Sequence, residues 1–352
     1  MSHPIRFGVY YDFRNPPESG ISTSDLYRRT LGQIRSMDRL GYDSVWMSEH
    51  HFTEDGYMPS PIAMSGAIAA ATENLTISQD VLLMPFQHPL RLAEDLAVLD
   101  NLSGGRMMLG VGMGYVHHEF QALGVNRRNR VSLTEEGLEI LRLAWTEDRF
   151  SYHGKRYQME GVSVRPRPVQ CGGPPIFIAA MSEAGARRAA RFGAHLLPQG
   201  DRAAVLDPWL EAVAAAGRSP DEYRVGIVRG FQVADDPEAY RAKWRRSAAA
   251  EGERRAQQIY GKWISASADR MLEQLAEGRA ADRLIPQNVF FGTPDQCIAE
   301  IERFNREFHV TDLITRGVFP GQAPEDELPN LVRFASEVIP YFRPGGGRNE
   351  RD

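Results

Sequence analysis

Short, almost wholly apolar runs alternate with amphipathic stretches from one end of the chain to the other. The runs lie at 6–10, 44–47, 75–83, 107–111, 176–180, 195–197, 224–228 and 312–315. Their brevity and apolar character predict strands buried on both faces, as in a parallel sheet covered by helices. Between them apolar positions recur at helical spacing. Over 24–40, Leu26, Thr30, Ile34, Met37 and Leu40 share one face, with Ser24 as the expected N-cap and Gly41 as the stop. Further helices are predicted at 89–102, 131–145, 183–192, 208–216 and 294–304.

Eight strand–helix alternations predict an α/β fold of the (β/α)8 TIM barrel type, with insertions. The rival is an open doubly wound sheet, whose G-x-G-x-x-G follows its first strand. Here Gly110, Gly112 and Gly114 follow the fourth strand, and Tyr115 interrupts the pattern. The segment 235–287 is long, helical and charged, with Trp244, Tyr260 and Trp263 as apolar anchors. It reads as an insertion between the seventh and eighth units, serving either as a cover over the barrel mouth or as a peripheral helical pair. The barrel is expected to span 1–343, with a disordered tail at 344–352.

Composition narrows the function classes. The chain has 352 residues, 42% hydrophobic and 25% charged, which suits a full-sized core under a soluble surface. No apolar run approaches the ~18 residues of a membrane span. The first residues carry no signal-peptide pattern, so a cytoplasmic location is expected. Only Cys171 and Cys297 are present, which argues against a disulfide framework or a cysteine zinc site. A net charge of −5 with scattered cations argues against nucleic-acid binding.

The candidate chemistry sits where strands end, the reactive face of a barrel. Glu49, His50 and His51 follow the second strand, and a histidine there serves as acid or base near neutral pH. Two adjacent histidines point to different sides, so one at most faces the cavity. The alternatives are loop packing and a metal site with His117 and His118, although the helical H-x-x-x-H spacing is absent. Gly110, Gly112 and Gly114 suit either close approach of a planar ring or a turn. Ala180 to Ala184 end the fifth strand and open a helix, where Ser182 is an N-cap, a phosphate contact, or both. Phe13, Tyr57, Tyr115 and the insertion aromatics offer an apolar lining.

At these residues the chain resembles the bacterial luciferase-like flavin monooxygenases. The resemblance covers nearly the whole sequence. It is strongest in G-Y-D-S-V-W-M-S-E-H-H-F-T-E-D-G (41–56), H-P-L-R-L-A-E-D-L-A-V-L-D-N-L-S-G-G-R (88–106) and G-V-G-M-G-Y (110–115). It resumes at P-P-I-F-I-A-A-M-S (174–182) and F-G-T-P-D-Q-C-I-A-E-I (291–301). It implies a barrel with insertions, usually dimeric. It implies reduced FMN from a separate flavin reductase, and oxidation of a small organic substrate through a flavin hydroperoxide.

Carried over by position, the resemblance makes His50 catalytic with Glu49, and His51 their support. It places a non-proline cis peptide near Asp80–Val81 under the flavin ring. Gly112, Met113, Tyr115 and Ala180 then border the flavin, and Met181, Ser182, Glu183 and Ala184 hold its phosphate. Two departures stand out: Met113 where the family often has arginine, and Met181 where luciferase is acidic. Either the cofactor charge is neutralised elsewhere or reduced flavin binds more weakly, and the two departures count against light emission. The nearest rival is a deazaflavin-dependent dehydrogenase of the same superfamily. Its relatives usually carry a D-H pair and often lack A-E-D after H-P, so both motifs favour FMN. A flavin-binding protein without turnover and a metal-dependent barrel hydrolase are the remaining alternatives.

Overall fold

The computed structural model describes residues 4–199, 202–265 and 289–344. The rest of the predicted tail and the second half of the predicted insertion lie outside the described residues. The strands in chain order are β1 (Arg6–Tyr11), β2 (Ser44–Met47), β3 (Thr76–Gln79), β4 (Leu82–Leu83), β5 (Leu109–Gly112), β6 (Phe150–His153), β7 (Gln158–Val162), β8 (Ile176–Ala180), β9 (His195–Pro198), β10 (Gly226–Val228), β11 (Gly230–Val233), β12 (Val289–Gly292) and β13 (Asp312–Arg316).

Parallel pairing runs in the order β10-β13-β1-β2-β3 and again β4-β5-β8-β9. Two parallel bridges, Ile77 to Met107 and Leu196 to Val225, join these sheets into a ring. The barrel is thus closed among the described residues by β1, β2, the β3–β4 pair, β5, β8, β9, β10 and β13. The predicted third strand is one stave broken between β3 and β4, and the Asp80–Val81 peptide in that break is cis. No helix among the described residues is long and apolar enough to cross a membrane.

Alternation along each strand decides which side chains fill the ring. Tyr10, Trp46, Met108, Phe177, Leu197 and Ile314 pack together inside it. Trp46 meets Phe177 edge-on at 5.2 Å. The neighbouring positions Val9, Val45, Leu109 and Leu313 face outward into the helix layer. Two glycines make this packing fit. A Cβ on Gly8 would fall 2.9 Å from the Trp46 ring, and one on Gly110 only 1.7 Å from the Gln79 carbonyl oxygen. At the amino end of the barrel Arg224 binds Asp312 (2.9 Å) and lies over Phe177.

The helix Thr23–Leu40 buries Leu26, Thr30, Ile34 and Met37 as its periodicity predicts. Its N-cap is Ser22, which accepts from the Asp25 N–H, and not Ser24. Gly41 stops it in the left-handed conformation, with φ 81°. The helix Pro61–Ala71 was not predicted. Its sequence PIAMSGAIAAA has no charged face, so it carries no amphipathic period to read. The antiparallel β6–β7 hairpin and the helix Pro324–Glu337 also escaped the sequence reading.

The predicted seventh strand continues past the barrel. β11 pairs in parallel with β12 outside the ring, and the insertion leaves from one and returns to the other. Its described part forms helices Pro237–Trp244 and Ala248–Ser265.

Candidate active site

The segment after β2 folds back on itself, and the His50 N–H donates to the Met58 carbonyl at 3.0 Å. This fixes the direction of the neighbouring side chains. Glu49 turns toward the third stave, where it accepts the Leu83 N–H at 2.6 Å and pairs with His51 Nε2 at 2.9 Å. His50 turns the other way and stands 9% exposed at the carboxyl end of the barrel. Its Nδ1 lies 3.3 Å from Glu119 Oε1, and its Nε2 lies 3.3 Å from the Tyr115 hydroxyl.

Glu119 comes from the short helix His117–Ala122 that follows β5. Gly114, at φ 68°, makes the turn that swings this helix over the rim. The Glu119 carboxylate is fully buried; its Oε1 also accepts the His51 N–H at 2.8 Å, and its Oε2 has no hydrogen-bond partner among the described residues. Each histidine of the pair therefore has its own buried carboxylate.

The helix Ala248–Ser265 covers this mouth. Trp263 meets the His50 ring edge-on at 5.0 Å, and Tyr57 meets it on another side at 4.8 Å. The Trp263 indole donates to the His51 carbonyl at 3.1 Å. Tyr260 and Tyr115 share a short hydroxyl–hydroxyl hydrogen bond. Arg14 ties the cover down: it pairs with Asp55 at 2.7 Å, donates to the Ala256 carbonyl, and lies between the rings of Tyr57 and Tyr260. The described helix of the insertion therefore packs against His50 and His51 at the mouth.

Burial sets the charge states. Desolvation raises the Glu49 carboxyl above its usual value, against the opposing pull of His51 and the Leu83 N–H. Burial works to lower the His51 imidazole, yet its hydrogen bond and charge interaction with Glu49 prevail and raise it. Tyr115 is pushed well above the ordinary phenol range by burial, so it stays a neutral hydroxyl. Asp80 is half-buried against the barrel wall, and desolvation pushes it up to about 6. Its carboxylate accepts from Gln199 at 3.1 Å.

His50 and Tyr115 are thus neighbours, as are Val81 and Gly112. A Cβ on Gly112 would fall 2.3 Å from the Val81 methyl, so this glycine makes room for the third stave. Met113 is half-buried beside Gly114, and Ala180 is buried at the end of β8. Met181, Ser182, Glu183 and Ala184 stand exposed after β8, where Ser182 caps the helix Glu183–Arg191. Glu183 pairs with Arg187 at 2.8 Å.

Sequence reasoning missed Glu119, Arg14 and a cationic hollow beside the mouth. That hollow, about 340 Å3, is lined by His117, Phe120, Gln121 and the three arginines Arg127, Arg128 and Arg130. Arg130 opens the helix Arg130–Thr146, which Glu135 ties to Arg188 and Arg191 of the helix behind Ser182. The run R-R-N-R just before a helical pattern was the available signal. Among the described residues no three His, Cys, Asp or Glu side chains converge as metal ligands do.

The model of the luciferase-like monooxygenase family matches residues 5–311. The alkanal monooxygenase alpha chain of Photorhabdus laumondii is 29% identical over 189 residues, 54% of this chain and 52% of that one. The chain therefore spans about half the length of that curated relative. The F420-dependent glucose-6-phosphate dehydrogenase of Amycolatopsis mediterranei is 26% identical over 317 residues, 87% of this chain and 92% of that one. Among solved structures, the monooxygenase RslO1 from Streptomyces bottropensis matches with a TM-score of 0.81 at 26% identity, over 96% of this chain and 100% of that one.

Proposed function

The chain belongs to the luciferase-like monooxygenase family, and on that premise we propose that it is an oxidoreductase that oxidises a small organic substrate with reduced FMN and oxygen. One observation carries this reading: a buried, carboxylate-held imidazole, an aromatic cover and a cationic hollow share one rim of the barrel. That combination suits a flat cofactor with an anionic tail.

The residues present fit FMN. Val81, packed against Gly112 at the ends of the third and fourth staves, would offer the ring an apolar seat. The residues that would hold the phosphate are Ser182, Glu183 and Ala184 at the first turn of the helix Glu183–Arg191, together with the arginines at 127, 128 and 130. These cations take the place of the arginine that Met113 replaces. Bound there, reduced flavin would supply the electrons for oxygen activation. Trp263, Tyr260 and Tyr57 keep bulk water from the reacting atoms. His50 holds or moves a proton at Nε2, and Glu119 sets its orientation. Glu49 acts at one remove, through His51 and the Leu83 backbone.

The second reading is hydride transfer with a deazaflavin, and the extent of the match to the Amycolatopsis dehydrogenase favours it. The E-H-H-F motif and A-E-D after H-P favour FMN. A substrate screen with photoreduced FMN and oxygen, run beside one with reduced deazaflavin, separates the two. Oxygenated product in the first alone supports the proposal; product in the second alone overturns it.

A separate flavin reductase is the proposed source of reduced FMN. Val98 and Leu102, exposed one turn apart on the helix Pro89–Ser103, are the proposed contact with a second copy of the chain. Glutamate at both positions is expected to yield a monomer by light scattering.

A further inference from the structure

We propose that Glu49 is the positioning residue of the flavin seat: its carboxylate clamps β4 to the end of β2 and so holds Val81 where the ring would rest. The inference rests on the reading of Val81 and Gly112 as that seat. It separates Glu49 from the proton chemistry of His50.

The third stave loses its ladder to the second partway along. β2 pairs with β3 as far as Met47 and Gln79, and the Asp80 N–H still reaches the Met47 carbonyl at 2.7 Å. Beyond the break, β4 lies at the edge of the other sheet and pairs with β5 alone among the described residues. A buried strand edge needs acceptors for its N–H groups. Here a side chain provides one, since Glu49 Oε2 accepts the Leu83 N–H at 2.6 Å. A backbone N–H only donates, so Oε2 is committed as an acceptor whichever charge the carboxyl carries. Leu83 stands two positions past Val81, on the same short segment.

The other oxygen is held as firmly. Glu49 Oε1 lies 2.9 Å from His51 Nε2, and Gln87 approaches it at 3.5 Å. His51 is itself pinned through its backbone: its N–H donates to Glu119 at 2.8 Å, and its carbonyl accepts from Trp263 at 3.1 Å. Both oxygens of Glu49 are thus engaged inside the wall, and His50 has its own carboxylate in Glu119. Glu49 therefore acts on the seat through the Leu83–Val81 backbone. Leucine at this position would leave the Leu83 N–H without its acceptor and release the edge of β4. Glutamine can keep both contacts, its carbonyl accepting from Leu83 and its amide donating to a neutral His51.

The first test needs no flavin. Hydrogen exchange of the full chain, read by mass spectrometry over 82–87, should run about 10-fold faster in Glu49→Leu and stay near the original rate in Glu49→Gln. Peptides over 76–79 should not change. Exchange over 82–87 that is the same in all three proteins overturns the clamp.

The second test is anaerobic titration with reduced FMN and reduced riboflavin. Glu49→Leu should weaken both about 10-fold and equally, because the ring and not the phosphate has lost its support. Glu49→Gln should restore both affinities, and Glu119→Leu should leave both unaltered. In turnover, the Glu49→Leu loss should fall more heavily on KM for reduced FMN than on kcat. If Glu49→Leu does not fold, His51→Leu decides, with a smaller loss of the same kind expected for both flavins. Unaltered affinity for both flavins, or a loss confined to FMN, overturns the inference and leaves the proposed function standing. An unmodified chain that binds neither flavin overturns both.

Discussion

Glu119 stands 69 positions after His50 and presents Oε1 3.3 Å from its Nδ1. Glu49, the immediate chain neighbour of His50, instead pairs with His51 at 2.9 Å. Adjacent residues in extended backbone face opposite sides, so the acid beside a histidine in sequence is not its partner in space. The carboxylate for His50 comes from the next stave but one, carried over the rim by the turn at Gly114.

His50→Ala is expected to keep the fold and FMN binding but slow oxygenation by ~100-fold or more, the scale of lost acid–base catalysis. Single-turnover kinetics with photoreduced FMN measures it. Unchanged turnover removes His50 from the mechanism.

Arg130→Ala is expected to weaken FMN binding by ~10-fold, the scale of one charge-assisted hydrogen bond, and to leave riboflavin binding unaltered. Parallel anaerobic titrations with the two flavins read this directly. Equal losses for both would mean that Arg130 shapes the site without touching a phosphate.

Arg14→Ala leaves Asp55 buried beside an empty space, which is expected to cost ~3–5 kcal/mol. It also releases the Ala256 carbonyl and the two tyrosine rings that Arg14 holds. Urea unfolding measures the first effect. Faster tryptic cleavage within the helix Ala248–Ser265 measures the second.

Glu327 is buried between the helix Pro324–Glu337 and the barrel, and desolvation pushes its carboxyl up to about 8. Gln232 and Asn330 donate to it at 2.6 and 2.8 Å. Between its ordinary value of 4.5 and 8, the folded chain holds a proton that the unfolded chain has released. Stability attributable to Glu327 therefore falls as pH rises through that window. Glu327→Gln should raise the urea midpoint at pH 8.5 and change it little at pH 4.5.

The barrel was legible because its staves are buried on both faces and read as apolar runs, as in 44–47 and 176–180. The helix Pro61–Ala71 was not, because a segment apolar all round has no period. Ser22 displaced Ser24 as the cap because the Asp25 N–H, three residues on, meets its side chain at 3.1 Å. The position of His50 could be read from its motif. Its partner could not, since Glu119 reaches it only through a tertiary turn. Gly110 and Gly112 suggested a close approach, and the partner turned out to be the third stave, at Gln79 and Val81. The cover depended on contacts that no local pattern encodes: Trp263 with His51, and Arg14 with Ala256.

Electron density from a crystal soaked anaerobically in photoreduced FMN is the most direct test of where the chemistry happens. The expected result is an isoalloxazine ring at the carboxyl end of the barrel, beside Val81, Gly112 and the Tyr115–His50 pair, with its phosphate between Ser182 and Arg130. Density for the ring at the amino end of the barrel, or on an outer helix face, would contradict the account.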